Sequence, residues 1–156
     1  MTFPHRQVAW SGSLAVLLGC AVAASSDTPP DKGLEGGKLW VFVDTYTCGK
    51  SKGIYRCEMD TETGKLSAPV LAAETASPSF LAIHPSRRSL YAVGETGDFG
   101  GQKSGAVNAF ALDAKTGELK LLNRHASDGA GPCHLVVDRR GKNVLVANSG
   151  RGNAAV

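Results

Sequence analysis

From residue 38 onward, apolar and polar positions alternate in short runs such as LWVFV (39–43), SLYAV (89–93) and NVLVAN (143–148). Glycine, proline, asparagine and aspartate punctuate the runs, which is the pattern of strands joined by turns. No window of useful length carries the 3.6-residue period of a helix. The pattern predicts an all-β protein.

The runs also repeat. SPSFLAIHPSRRSLYAVGE (77–95) and GPCHLVVDRRGKNVLVANS (131–149) align without a gap at an offset of 54, with Pro78 on Pro132, Leu81 on Leu135, Ile83 on Val137 and Leu90 on Val144. IYRCEMDTETGKLSAP (54–69) matches VNAFALDAKTGELKLL (107–122) at an offset of 53, with Asp-x-x-Thr-Gly at the turn of each. A period near 50 residues carrying four short strands is that of a β-propeller blade. One full blade reads as strand a (80–84), strand b (89–94), strand c (106–112) and strand d (118–124). Residues 39–75 supply b, c and d of the blade before it. Residues 132–156 supply a, b and the start of c of the blade after it. Propellers close with about four to eight blades, so the sequence reads as the first two and a half or so of a longer ring.

Ahead of the strands the pattern changes. MTFPHRQ carries one arginine and no acid, VAWSGSLAVLLG is uncharged, and CAVAASS leads into the polar stretch DTPPDKGLEGG. This is the three-part pattern of a secretory signal peptide with Ala21-Val22-Ala23 as the cleavage site. It predicts a signal peptide over 1–23, a linker over 24–37 and the propeller segment over 38–156. Leu17-Leu18-Gly19-Cys20 also resembles a bacterial lipobox. Either cleavage predicts export, to the periplasm or beyond the cell, and a lipid on Cys20 is the one membrane attachment expected. The apolar stretch itself is short for a membrane span.

Composition narrows the partners. The net charge of +3 is scattered, without a basic run interleaved with aromatics, so no nucleic-acid partner is expected. Beyond the leader lie Cys48, Cys57 and Cys133. A hairpin turning over 49–52 would put Cys57 opposite about Val43, which argues against a Cys48–Cys57 disulfide. The three read as small buried residues or bystanders. No histidine or cysteine pair has metal-ligand spacing, so neither metal nor cofactor is expected. DTYTCGKS (44–51) ends like a phosphate-binding loop, but Asp44 stands where the first glycine is needed, and a strand follows where a helix should open. GDFGGQKSG (97–105) reads as a flexible loop between strands b and c.

Strand a leaves one mouth of the channel and strand b returns to it. The start of a and the end of b therefore share a rim, which brings Phe80 with Glu95 from one blade and His134 with Asn148 from the next. In the repeat, His134 falls on Phe80, so a titratable residue there is a choice of its own blade. A neutral imidazole can take a proton from water near pH 7. It can equally cap a loop by bonding a backbone carbonyl. Glu95 likewise reads either as a substrate contact or as a solvated carboxylate at a loop edge. His84 at the far end of strand a suits a turn, and His125 is expected to begin the loop before the next blade.

VFVDTYTCGKSKGIYRCEMDTETGKL, SPSFLAIHPSRRSLYAVGE, GAVNAFALDAKTGELKLLN and GAGPCHLVVDRRGKNVLVANSGRGNAAV together resemble the seven-bladed propeller lactonases, the 6-phosphogluconolactonase and 3-carboxymuconate cyclase type. The resemblance implies a ring of seven blades with lactone chemistry at the channel mouth. It carries the family's catalytic histidine onto Gly131-Pro132-Cys133-His134. The family's arginines and a glutamate fall beyond Val156, and Asp44 and Cys48 stand where the family usually has glycine. The expected function is an exported lactonase that hydrolyses a sugar or sugar-acid lactone. His134 is its general base, and Glu95 and Asn148 contact the substrate. Because 6-phosphogluconolactone is a cytoplasmic metabolite, export implies a different lactone. A non-catalytic binding or scaffold propeller and a muconate cycloisomerase fit the same resemblance.

Overall fold

The computed structural model describes residues 37–156. The expected leader and most of the linker, with Cys20, lie outside the described residues. Among the described residues, ten strands form three antiparallel sheets. The first holds β1 (Lys38–Val43), β2 (Gly53–Asp60) and β3 (Val70–Glu74). The second orders β4 (Leu81–Ile83), β5 (Ser89–Gly94), β6 (Ala106–Leu112) and β7 (Leu119–Ala126) side by side. The third holds β8 (Pro132–Val137), β9 (Val144–Asn148) and β10 (Asn153–Ala155). These are three successive blades, the middle one complete, in the b-c-d, a-b-c-d and a-b-c pattern of the repeat.

Strand alternation sends neighbouring residues to opposite faces of a sheet, and both faces of the middle blade are apolar. Leu90 and Ala92 of β5 pack with Phe110 of β6 against Ile54 of the first blade. Val93, one position along, packs with Leu135 and Val146 of the third. Complete burial of a side chain such as Leu90, Ile54 or Phe110 stabilises by about 1.5–3 kcal/mol each. The blades are therefore joined by core, not only by chain.

The connections at the end away from His134 are local. In the turn after β2, the Asp60 carboxylate accepts hydrogen bonds from the backbone N–H of Glu62 and Thr63 at 2.9 and 2.8 Å. Gly64, at φ +69°, takes the left-handed position that residues with a Cβ avoid. Asp113 and Gly117 do the same after β6. Asp138 and Gly141 close the turn between β8 and β9 in like manner. His84 has the turn role expected of it. Its Nδ1 accepts from the Ser86 N–H, and its Nε2 lies 3.0 Å from the carbonyl of Gly141 in the next blade.

Two local expectations are corrected. Cys57 pairs with Val41, while Val43 pairs with Tyr55, because the first connection spans all of 44–52 instead of turning tightly at its end. His125 lies within β7 opposite Val107 and does not begin a loop. Cys57 is buried, but Cys48 and Cys133 are exposed, and all three are free thiols. The 97–105 loop is less free than its glycines suggest. Phe99 and Gln102 exchange backbone hydrogen bonds at 3.1 and 3.2 Å, and Ser104 is buried.

Candidate active site

The mouth is built from the loops at the other end of the sheets. His134 enters it through a bulge. In β8, Pro132 pairs with Asn148 and His134 with Ala147, which leaves Cys133 as the extra residue. A bulge re-aims the side chains beside it. The His134 ring is exposed and packs against Phe80 of the preceding blade, centroids 4.1 Å apart and planes tilted by 45°. The two positions that superpose in the repeat thus touch in the structure. Among the described residues neither ring nitrogen of His134 has a hydrogen-bond partner. The loop-capping role, which needs a backbone carbonyl on the ring, is not the one this geometry displays.

Glu95 sits on the same rim, half-buried at the end of β5. Its N–H donates to the Ser77 carbonyl at 2.9 Å, and its Oε2 accepts from the Tyr46 hydroxyl at 2.8 Å. Tyr46 belongs to the loop after β1 and is 56 % exposed. That hydrogen bond to Glu95, foremost, raises the phenol pKa, with help from desolvation and the carboxylate's charge. Ser79 works the other way, and Cys133 adds a small further rise. Ser79 and Glu95 of the second blade and Cys133 of the third, the residue before His134, thus each lie within electrostatic reach of the Tyr46 phenol of the first.

Sequence reasoning missed Tyr46, although a signal existed. The rule that strand b ends at the mouth applies to β1 as much as to β5 and β9, and it places residues 44–52 on the rim. Asn148 goes the other way. Its side chain is 2 % exposed, and its Nδ2 donates to the Ser127 carbonyl at 2.8 Å. The amide pins the loop before β8, so donating to a substrate would require it to leave Ser127. The rim also carries a cation near the strand ends: Arg151 is exposed in the turn between β9 and β10, at the end of the sheet where β8 begins. No group of three metal-ligating side chains comes together among the described residues.

A stack of antiparallel blades, the middle one four-stranded, with a free imidazole, a carboxylate and a phenol at one mouth defines a propeller with a polar channel entrance. Residues 40–156 match the lactonase family of seven-bladed β-propellers, and the chain belongs to that family. It is 40 % identical over 115 residues to the 6-phosphogluconolactonase of Bacillus subtilis, a match covering 74 % of this chain and 32 % of that protein. A Bacteroides fragilis crystal structure, provisionally named a 6-phosphogluconolactonase, superposes with a TM-score of 0.65 at 40 % identity over 73 % of this chain and 30 % of that one. The periplasmic gluconolactonase of Pseudomonas aeruginosa superposes with a TM-score of 0.64 at 28 % identity, covering 71 % of this chain and 31 % of that one. The chain spans about a third of the length of these relatives.

Proposed function

We propose that the full-length protein is an exported lactone hydrolase acting on a sugar or sugar-acid lactone, with His134 as general base. The observation that carries this reading is His134 itself, which is exposed at the mouth, packed on Phe80 and free at both ring nitrogens. A base in that state can take a proton from water as the water oxygen bonds to the lactone carbonyl carbon. The ring C–O bond then breaks, and the departing alkoxide recovers that proton from the imidazolium. The product is an open-chain hydroxy acid. Arg151, exposed on the same rim, is a candidate to stabilise developing negative charge. Family membership supports lactone chemistry, and the leader pattern supports export. So does the likeness to a relative named as a periplasmic gluconolactonase.

In the full-length protein, His134→Ala should lower kcat by about 10²- to 10⁴-fold, the range for loss of a positioned base, with little change in folded stability because the ring is exposed. Unchanged turnover in a folded His134→Ala protein would remove His134 from the reaction. Export is read separately, by mass spectrometry of the mature N-terminus. A start at Ala24 or a lipidated Cys20 upholds it, and an intact N-terminus on cytoplasmic protein overturns it.

A further inference from the structure

Tyr46 and Glu95 are 49 residues apart and belong to different blades, yet their side chains meet at 2.8 Å. The contact is framed on both sides. The Ser77 N–H donates to the Thr47 hydroxyl at 3.1 Å, and the Ser77 carbonyl accepts from the Glu95 N–H at 2.9 Å. Ser77 itself stands at φ +40°, a conformation that a residue with a Cβ holds only where its surroundings impose it. The loop after β1, the loop before β4 and the end of β5 are thus one assembly whose outward product is a fixed carboxylate.

We propose that Tyr46 and Glu95 select the substrate at this mouth. Tyr46 positions the Glu95 carboxylate to accept the hydroxyl groups of an uncharged polyol lactone, and the fixed negative charge disfavours the same lactone bearing a phosphate. The proposal rests on the lactonase reading above and narrows its substrate class.

A carboxylate can accept about four hydrogen bonds. Tyr46 supplies one to the side chain, and no lysine or arginine among the described residues pairs with Glu95. The remaining acceptor capacity opens to the mouth. Sugar hydroxyls suit it, because a hydrogen bond to an ionised acceptor is roughly twice as strong as one between neutral groups. The raised pKa of Tyr46 has the matching consequence. Its phenol stays protonated and keeps donating across the neutral range, so the carboxylate keeps its orientation.

The opposite signs on the rim do not cancel this charge. Lys50, Lys103 and Arg151 lie on loops of the same end, but they are exposed and unpaired with Glu95. Mobile surface charges are screened within about 8 Å at physiological salt. A carboxylate held in contact with the substrate is screened less. A phosphate dianion brought near it in a half-solvated site should lose about tenfold in affinity relative to the neutral lactone.

The test compares glucono-1,5-lactone with its 6-phosphate on the full-length protein. Glu95→Gln should raise the ratio of kcat/KM for the phosphorylated over the neutral lactone by about tenfold. Tyr46→Phe keeps the charge but frees the carboxylate. It should raise KM for the neutral lactone several-fold while leaving the ratio within about threefold. Glu95→Asp, which keeps the charge on a shorter stem, should retain the discrimination with weaker binding. A ratio unmoved by Glu95→Gln overturns the proposal. Calorimetric binding of glucono-1,5-lactam, with and without a 6-phosphate, is read in parallel and needs no catalysis. If neither lactone is hydrolysed, the lactonase reading falls. The selecting pair then stands if lactam preference shifts with Glu95→Gln, and falls if it does not.

Discussion

At the end of the sheets away from His134, the connections close mainly on their own residues. Asp60, Asp113 and Asp138 each fold back onto backbone N–H groups two to four residues ahead, and a left-handed glycine completes the turn. At the mouth the connections are longer and find their partners in the neighbouring blade. Thr47 is bonded to Ser77, Tyr46 to Glu95, Gly131 to Thr96 and Gly105 to Gly129. The far-end turns are shaped mainly within each blade, with the His84–Gly141 contact crossing to the next one. The mouth exists only when blades stand side by side, and it is there that the polar, titratable side chains collect. Local turns supply economy, while shared loops supply a site made of several blades at once.

Substitutions that add one methyl group separate the two ends most sharply. A Cβ on Gly105 would lie 2.2 Å from Cδ of Pro132 and 2.6 Å from the Gly94 carbonyl, neither of which can swing aside. Gly105→Ala should therefore force the second and third blades apart at the mouth, at a cost of about 3 kcal/mol or more, the upper end of overpacking. Urea denaturation reads the cost, and Gly97→Ala is the control. Nothing lies within 4 Å of a Cβ there, so its effect should stay within about 0.5 kcal/mol. Equal destabilisation by both would erase the distinction between a shared and a free position of the mouth.

Gly141 is the far-end counterpart. A Cβ there would lie 2.1 Å from Nε2 of His84, and φ is +68°. The neighbour is a side chain that can rotate away, so Gly141→Ala should cost less, about 1–2 kcal/mol from the left-handed backbone and the lost contact with His84. The double variant Gly141→Ala with His84→Ala should recover the steric part alone. A full recovery would mean that the backbone conformation carries no cost.

The smallest effect is a pH dependence of the far end. The carboxyls of Asp60, Asp113 and Asp138 are held below the ordinary aspartate value, in each case chiefly by backbone N–H groups of their own turn. A carboxyl depressed in the folded state contributes stability that is present above its unfolded pKa. The contribution is lost as pH falls through the folded value. Stability should therefore decline on acidification below about pH 4, and Asp113→Asn should flatten that decline without changing stability slopes near neutrality. An acid profile identical in the variant would deny the Asp113 turn its part.

Legibility in the sequence follows the same division. The Asp-x-x-Thr-Gly turns could be read because every partner lies within a few residues, and the flanking strands β5 and β6 fall at 89–94 and 106–112 as the pattern requires. The first mouth loop could not be read that way. Its turn was expected at 49–52, with Cys57 opposite Val43. Bonds from Tyr46 and Thr47 to residues 49 and 30 positions away hold the whole of 44–52 open, and the register moves to Val41 opposite Cys57. Asn148 shows the same limit. A polar residue at a strand end reads as a rim donor, but the buried Ser127 carbonyl needs a partner, and the amide turns inward to supply it. His134 was legible as a polar exception at a position where the repeat has Phe80. Its packing on that same Phe80 was not, because superposed positions in a repeat do not announce that they touch.

The bonds between the mouth loops run from blade to blade, around the opening and not along its axis. Mechanically they are links of a hoop, loaded in tension by anything that forces the opening wider. The Tyr46–Glu95 and Thr47–Ser77 links act in parallel at one seam, and Gly131–Thr96 and Gly105–Gly129 act in parallel at the next, in series with the first pair. Links in series carry the same load, so a force that widens the opening is felt at both seams. A guest sliding down the axis stretches none of them, whereas one wedging in sideways must strain both seams. The bore beside the histidine is thus gauged before any guest arrives, and its width is set by the loops of neighbouring blades acting together.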